Sequence, residues 1–434
     1  MEKLDFIKDL LKFIDDSPCN FYAISNAVER LERSGYERLY ENERWNLKQN
    51  VKYFVTRGGS SLIAFTVGDN VEDGFRIVGS HSDSPSYKIK AKPEMIKEGM
   101  LVFNTEPYGG MIVSSWLDRT LSLCGRMVYE EDDMLIEKNI KFDEDLVTIP
   151  NLAIHLNREI NNGYTYNQQK EMLPIVETIT KELGKTFSKD NFLLEKISET
   201  YGIKKSSIKD FELSLYDRQK GSIIGLKKEF FQVGRIDNLA MAHASIEAIR
   251  DADTSKFNMI VINDNEEIGS STRRGANSPF LNNVIDRIIN NIGADFESKS
   301  IAIANSFLIS ADQAHAVHPN YPEAFDPTNR AQINKGVVIK IANNGAYTSD
   351  SHSIARFKTL CKKAGVKTQT FYNRSDKRGG STIGPITASK IGINAIDIGN
   401  PIFAMHSIRE TGGVDDHVDT YNIFKEFFGG YKWQ

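Results

Sequence analysis

Seven residues with metal-binding or proton-transfer side chains lie just after predicted strands or at the start of a predicted helix. They are His81, Asp83, Asp237, Glu266, Glu267, Asp312 and His406. The predicted strands concerned end at residues 79, 263, 310 and 398. Because ligand sites of parallel sheets lie beyond the carboxyl ends of the strands, one sheet edge can bring these side chains together.

Each of these residues also has an ordinary structural interpretation. Asp237 is a favourable N-cap for the helix that follows it, and a single His81 is more often a packed structural histidine. The glutamate pair can be a solvated loop, and Asp312 and His406 can stabilise turns. Their joint occurrence at strand ends favours a shared site over five separate structural roles.

The residue types indicate a metal centre. Two histidines and three carboxylates are ligands that zinc accepts, although cobalt or manganese can use the same oxygen and nitrogen donors. Two zinc ions bring four positive charges, and Asp237, Glu267 and Asp312 neutralise three of them. A nearly neutral centre can be buried without the cost of an uncompensated charge.

Two further carboxylates have roles beside such a centre. Glu266 stands next to a proposed ligand and can accept and return a proton. Asp83, two residues after His81, can accept the imidazole N–H and fix the ring. The chain contains no HExxH, GxSxG or GxxxxGK[ST] motif, so these residues carry the catalytic signal of the sequence.

The composition is that of an ordinary globular chain. At roughly 150 residues per domain, 434 residues predict two or three domains. A net charge of -4 gives no sign of a nucleic-acid partner, and no window approaches the ~20 apolar residues of a membrane span. Three scattered cysteines and an N-terminus without a signal-peptide core predict a reducing, cytoplasmic location.

Strand-like and helix-like patterns alternate outside one internal segment. The predicted strands are 51–56, 61–67, 75–79, 258–263, 300–310, 337–341, 367–372 and 395–398. This alternation predicts an α/β fold with a mostly parallel sheet flanked by helices. Residues 93–232 are rich in short β-like runs, with one helical pattern near 187–201, and are predicted to be an inserted domain. Residues 1–92 and 233–434 then form the catalytic domain.

Several long motifs in this chain resemble those of the aspartyl aminopeptidase family, which includes vacuolar aminopeptidase I of yeast. The matching segments between about residues 79 and 410 include GSHSDSP, YKIKAKP, IPNLAIHLNREIN, QVGRIDNLAMA, DNEEIGSSTRRGA, SADQAHAVHPNYPE, INKGVVIKIANNGAY, GGSTIGPI and AMHSIRE. The resemblance implies a phosphorylase-like α/β catalytic domain interrupted by a β-rich dimerisation domain. It also implies dimers that assemble into tetrahedral dodecamers.

The resemblance further implies roles for individual residues. His81 and Asp312 would hold one zinc ion, Glu267 and His406 the other, and Asp237 would bridge them. Glu266 corresponds to the catalytic base. Four more residues correspond to substrate-contacting positions, of which the first would reach the active site of a partner subunit: His155, His315, Lys340 and Tyr347.

The sequence therefore predicts a cytoplasmic metalloaminopeptidase with two zinc ions per subunit, acting on unblocked peptides. The family includes enzymes that prefer acidic and enzymes that prefer leucine N-terminal residues, so the preference stays open. A carboxypeptidase or N-acyl amino acid hydrolase on the same scaffold is the alternative within enzymes. A non-catalytic assembly protein is the alternative outside them.

Overall fold

The computed structural model describes residues 2–179, 191–377 and 379–430. The helices of this part of the chain are α1 (Lys3–Asp16), α2 (Asn20–Glu32), α3 (Gln168–Glu171), α4 (Phe192–Tyr201), α5 (Ile236–Arg250), α6 (Phe280–Asn291), α7 (Phe296–Asn305), α8 (Ser351–Lys363), α9 (Ile383–Ile391) and α10 (Val414–Phe428). None of these described helices is long and apolar enough to cross a lipid bilayer.

The strands are, in chain order, β1 (Glu37–Leu39), β2 (Lys52–Arg57), β3 (Ser61–Thr66), β4 (Phe75–His81), β5 (Ser86–Lys97), β6 (Met100–Tyr108), β7 (Leu121–Glu131), β8 (Met134–Lys141), β9 (Ile175–Thr178), β10 (Ile208–Asp217), β11 (Ser222–Ile224), β12 (Phe230–Val233), β13 (Phe257–Asn263), β14 (Phe307–Ala311), β15 (Ala314–His315), β16 (Val337–Lys340), β17 (Thr368–Phe371), β18 (Asn394–Gly399), β19 (Pro401–Ile402) and β20 (Glu410–Gly413). The chain divides into two compact units. The first contains the chain up to residue 84, residues 221–405 and the chain from residue 409, and the second contains residues 85–220 and 406–408.

The first unit is built on a nine-stranded sheet in the order β1-β2-β3-β13-β4-β14-β18-β16-β17. The pairs β1–β2, β13–β4, β4–β14, β14–β18 and β16–β17 are parallel, and the other neighbours are antiparallel. This mixed, mostly parallel sheet with flanking helices confirms the predicted α/β fold.

Helices cover both faces of this sheet because its central strands are apolar on both sides. In β13, Met259 and Val261 belong to one core cluster together with residues of α6. Ile260 and Ile262 point the other way and join a second cluster with residues of α1, α5 and α10. Helix α5 is buried over almost its whole length, which explains why its sequence lacks a polar stripe.

The predicted strand 300–310 is wrong in its first half. Residues 296–305 form α7, and β14 begins only at Phe307. The side chain of Asp295 accepts the backbone N–H of Ser298 at 2.8 Å and caps this helix. The alternating isoleucines at 301 and 303 imitate a strand, but Ala302 is the buried residue of this short helix.

The second unit contains a six-stranded antiparallel sheet in the order β8-β7-β10-β5-β6-β9. It begins earlier than the predicted boundary at residue 93, because β5 already starts at Ser86. It ends before the predicted boundary at 232, because β11 and β12 pair with each other and with β20 of the first unit. The helical pattern near 187–201 corresponds to α4 from Phe192 onward, and residues 187–190 lie outside the described residues.

Candidate active site

Three neighbouring parallel strands, β13, β4 and β14, end at the same edge of the large sheet. Asn263 pairs with His81, and Ser310 pairs with Gly79. The loops that follow β13 and β14 therefore start beside His81. This register places Glu266, Glu267 and Asp312 on one edge, as expected for residues that follow adjacent parallel strands.

His81 lies at the centre of this group and is 1% exposed. Its Nε2 atom is 3.4 Å from Oδ1 of Asp237, 3.5 Å from Oδ1 of Asp312 and 4.0 Å from Oε2 of Glu266. Its Nδ1 atom is 3.1 Å from the carbonyl oxygen and 3.4 Å from the carboxylate of Asp83. Because both groups facing Nδ1 are acceptors, a proton belongs on Nδ1, and Nε2 faces the carboxylates.

The electrostatics of this group fit a cation. Burial lowers the pKa of His81, but its interactions with Asp237, Asp312 and Asp83 outweigh burial and raise the pKa well above its usual value. The carboxylates thus favour positive charge next to Nε2. Ligand atoms of His81, Asp237 and Asp312 lie within 4.8 Å of one another. Nitrogen and carboxylate oxygen at this spacing suit zinc.

Asp83 organises two parts of the site. Its Oδ1 atom accepts the backbone N–H of Glu266 at 3.1 Å, and its Oδ2 atom accepts that of Glu267 at 3.2 Å. At 3% exposure, this carboxylate holds the glutamate loop as well as the ring of His81. The sequence predicted only the contact with the histidine. Bonds to backbone N–H groups leave no signature in the sequence, so the second function was missed.

Glu266 lies in a short turn after the left-handed residue Asn265. Its side chain is 16% exposed. Burial raises the pKa of Glu266 to about 8, an effect that His81 opposes and that Asp312 and Asp237 reinforce. A carboxyl group that titrates near neutral pH can both accept and donate a proton. A second group of possible ligand atoms, those of His81, Glu266 and Glu267, also lies within 4.8 Å.

Asp237 is not the N-cap that its ordinary interpretation requires. The N-cap position of α5 is Arg235, and Asp237 itself has non-helical backbone angles. Its backbone N–H donates to Oε2 of Glu410 at 3.0 Å, and Glu410 is 2% exposed. Glu410 was missed by the sequence analysis. Its place in the AMHSIRE motif was the only available signal.

Lys340 ends β16 and is buried, at 2% exposure. Its Nζ atom donates to the carbonyl oxygen of Gln313 at 3.0 Å and lies 3.4 Å from Oδ2 of Asp312. Burial lowers the pKa of Lys340, but Asp312 and Tyr347 raise it, and the net shift is upward. The ring centroid of Tyr347 is 5.3 Å from this ammonium group. A buried lysine beside the candidate metal-binding edge is not an ordinary surface lysine.

His315 lies on β15 and is exposed, with its ring 5.8 Å from that of Phe371. Phe371 and Tyr347 belong to one small apolar cluster. The nearby His318 contacts the rings of Tyr321 and Phe403 instead. The two histidines form an HxxH sequence. On a helix this spacing would direct both side chains to one ligand, but residues 315–318 are not helical.

Two of the predicted site residues belong to the second unit. His406 has a positive φ of 67°, and its Nδ1 atom is 2.5 Å from the carbonyl oxygen of Gly110. That contact assigns the proton to Nδ1 and leaves Nε2 as the atom able to bind a metal. His155 is exposed in the segment 151–157.

A buried histidine with several carboxylates at the carboxyl edge of a mostly parallel sheet defines the class of α/β proteins with a metal-binding hydrolase site. The chain matches the family described as Aminopeptidase I zinc metalloprotease (M18) over residues 13–428. It is 46% identical over 432 residues to a probable M18 family aminopeptidase 2 of Clostridium novyi, covering 98% of this chain and 99% of the relative.

Solved structures show the same fold over nearly the whole chain. A chain of the cryo-EM structure of the Ape4 and Nbr1 complex superimposes with a TM-score of 0.94 at 36% identity, covering 98% of this chain and 86% of that one. The S. cerevisiae mApe1 dodecamer gives 0.84 at 28% identity, covering 97% and 95%. The chain belongs to the M18 family of zinc metalloproteases and is a metalloaminopeptidase, which confirms the predicted family and enzyme class.

Proposed function

We propose that this enzyme holds two zinc ions per subunit and removes single N-terminal residues from unblocked peptides in the cytoplasm. The observation that carries the proposal is the position of His81, whose Nε2 atom lies within 3.5 Å of both Asp237 and Asp312. Family membership supports zinc as the metal. The second ion rests on two further residues of ligand type, Glu267 and His406.

The ligands divide into two sets in this proposal. His81 and Asp312 would hold one ion, Glu267 and His406 would hold the other, and Asp237 would be shared between the two sets. The close group of His81, Asp237 and Asp312 supports the first set. The contact of His406 Nδ1 with a backbone carbonyl supports its part in the second set, since metal-binding histidines commonly donate their other N–H.

When bound, the metal polarises the scissile carbonyl and lowers the pKa of the attacking water. Glu266 accepts the proton of that water and passes it to the leaving amine, a transfer for which its buried carboxyl group is suited. Asp83 acts indirectly, because it fixes both the ring of His81 and the backbone of the loop that carries Glu266.

Lys340, Tyr347 and His315 contact the substrate in this proposal. The buried ammonium group of Lys340 can pair with a carboxylate of the peptide, either an acidic N-terminal side chain or a terminal carboxylate. We therefore propose a preference for acidic N-terminal residues. The aromatic ring of Tyr347 near this charge would keep the ammonium group in place.

His155 would act in the active site of a second copy, where its N–H can stabilise the developing oxyanion. The segment around it supports this role, because Leu152, Ile154 and Leu156 are 57%, 45% and 75% exposed. Apolar side chains exposed together on one loop suit burial against a partner. We extend this to self-association through the second unit, and to a dodecamer like that of the yeast relative.

A release assay on the purified, zinc-loaded protein tests the proposed function. Unblocked X-Ala peptides with different N-terminal residues, their acetylated copies and a chelator control form the panel. We expect chelator-sensitive release of X from unblocked peptides only, with acidic X released fastest. Cleavage of the acetylated copies would instead indicate an N-acyl amino acid hydrolase, and cleavage of neither set would indicate a non-catalytic protein.

A further inference from the structure

Asp397 is a fully buried carboxylate near the end of β18 that has no part in the mechanism above. Its Oδ2 atom accepts the backbone N–H of Thr348 at 2.7 Å and the hydroxyl of the same residue at 2.8 Å. Its Oδ1 atom accepts the hydroxyl of Thr382 at 2.6 Å. One carboxylate thus joins the loop before α8 to the first turn of α9.

Main-chain groups strengthen this junction between the loop before α8 and the first turn of α9. The backbone N–H of Asp397 donates to Oγ of Ser349 at 3.1 Å. On the other side, a Cβ atom at Gly384 would lie 2.4 and 2.6 Å from the two carboxylate oxygens. Only glycine lets the first turn of α9 approach the carboxylate this closely. The approach also leaves Thr382 free to cap the helix through the N–H of Gly384 at 3.3 Å.

This junction lies directly behind the substrate-binding residues. Thr348 follows Tyr347, whose ring is 9% exposed and packs with Phe371 in an apolar cluster. The ring of Tyr347 also lies 5.3 Å from Nζ of Lys340, which contacts Asp312. Because Thr348 is the next residue after Tyr347, its position constrains where the ring beside Lys340 can lie.

We propose that Asp397 is a positioning residue for peptide binding: by holding Thr348, it fixes Tyr347 over Lys340. The inference rests on the proposed substrate contacts of Lys340 and Tyr347. A carboxylate suits the position because the three groups that face it are an N–H and two hydroxyls, and it accepts from all of them. Asparagine can retain most of these bonds, since its oxygen can face Thr348 while the hydroxyl of Thr382 accepts from its amide.

The test compares T348V, D397N and D397L with the wild type by steady-state kinetics on the best unblocked X-Ala peptide. T348V removes one hydrogen bond to a buried carboxylate, and we expect KM to rise by roughly three- to tenfold with kcat within about twofold. D397N should keep a KM near that of the wild type. D397L should raise KM more than T348V does, and T348V carries the test if D397L does not fold.

T420V is the matched control. The Thr420 hydroxyl is buried and donates to Asn400 at 2.6 Å, but it lies on α10 and has no contact with the Tyr347 loop among those described. We expect T420V to lower Tm and leave KM unchanged. If T348V lowered Tm as T420V does and left KM unchanged, Asp397 would be purely structural and the inference wrong. A wild-type enzyme that released nothing from any peptide would instead contradict the proposed function, and this inference with it.

Discussion

At the scale of single residues, the candidate site is organised by groups that hold the proposed ligands. Asp83 contacts His81 on one side and the backbone of Glu266 and Glu267 on the other. Glu410 accepts the backbone N–H of Asp237. Buried carboxylates that accept such bonds fix the main chain, and so determine where the neighbouring side chains can point.

Glu266→Gln should retain zinc and lose most of the activity. Glutamine keeps the size and polarity of the side chain but cannot accept the proton of the attacking water. We expect kcat to fall by roughly 10²- to 10⁴-fold, measured on unblocked peptides alongside the zinc content of the protein. The exposed Glu297 gives a matched control, since E297Q should behave as the wild type. Full activity in E266Q would rule out Glu266 as the base.

Glu410→Ala should weaken zinc binding, whereas Glu410→Gln should retain it. Glutamine still presents an oxygen to the N–H of Asp237, and alanine does not. Groups that support a ligand in this way typically change metal affinity by about 10- to 100-fold. Competition with a chromogenic chelator measures the affinity directly. Equal zinc affinity in both variants would show that the bond to Asp237 has no influence on the metal.

At the scale of elements, α1 is joined to α5 and α10 by a network of polar side chains, of which His243 and His417 are fully buried. Nε2 of His243 is 2.9 Å from Oδ2 of Asp9, and Nδ1 of His243 is 3.0 Å from Nε2 of His417. Arg30 of α2 pairs with Asp9 and also with Glu247 of α5. Because Asp9 accepts from His243, the consistent arrangement has His417 donating to His243.

This network of Asp9, His243 and His417 should make the first unit less stable in acid. Burial lowers the pKa of His243 below its usual 6.5 and that of His417 further. The unfolded chain therefore binds protons at these residues more readily than the folded chain. Their stabilising contribution is complete above about pH 6.5 and decreases as the pH falls through that value. We expect the Tm of the wild type to drop between pH 7.5 and 5.5. The drop should be smaller in H417F, by about 2–4 °C.

Comparison with the wild type at the same two pH values is essential to this measurement. Burial raises the pKa of Asp416 to about 7 and that of Asp419 to about 6, so their stabilising contributions decrease as the pH rises instead. Both residues are present in the variant and the wild type, and their effect cancels in the difference. H352Q changes an exposed histidine and should match the wild type. If the Tm of H417F had the same pH dependence as that of the wild type, the acid sensitivity would not come from these histidines.

At the scale of the whole molecule, the proposed use of His155 in a second copy predicts complementation. H155A and E266Q should each be nearly inactive alone, for different reasons. A mixed dimer contains one site with both an intact Glu266 and a His155 from its partner. If equal amounts of the two variants exchange subunits at random, roughly a quarter of all sites should contain both intact residues. Activity is measured before and after subunit exchange, with E266Q mixed with itself as the control.

No recovery of activity in mixtures whose exchange is confirmed by mass spectrometry would indicate that His155 has no role in a second copy. Recovery without subunit exchange would indicate contamination by an intact enzyme. The experiment therefore separates the proposed shared site from association alone.

The sequence by itself determined the local features of this protein. Most strands of the large sheet, the α/β class and a β-rich internal segment were predicted from the patterns of apolar residues, whereas α6 and α9 were not predicted. The proposed ligands could be selected because His81, Glu266, Glu267 and Asp312 lie at or just after the ends of strands. Periodicity failed at residues 300–305, where a helix capped by Asp295 carries an alternating sequence.

Only the tertiary structure decided which of these residues meet and what holds them. The contact of Lys340 with Asp312 depends on β14 and β16 lying near each other in the sheet, although the sequence separates them by more than twenty residues. The contacts of Asp83, Glu410 and Asp397 go to backbone N–H groups, which every residue type except proline carries. Such a bond leaves no mark on the identity of its donor, so it becomes visible only once the chain is folded.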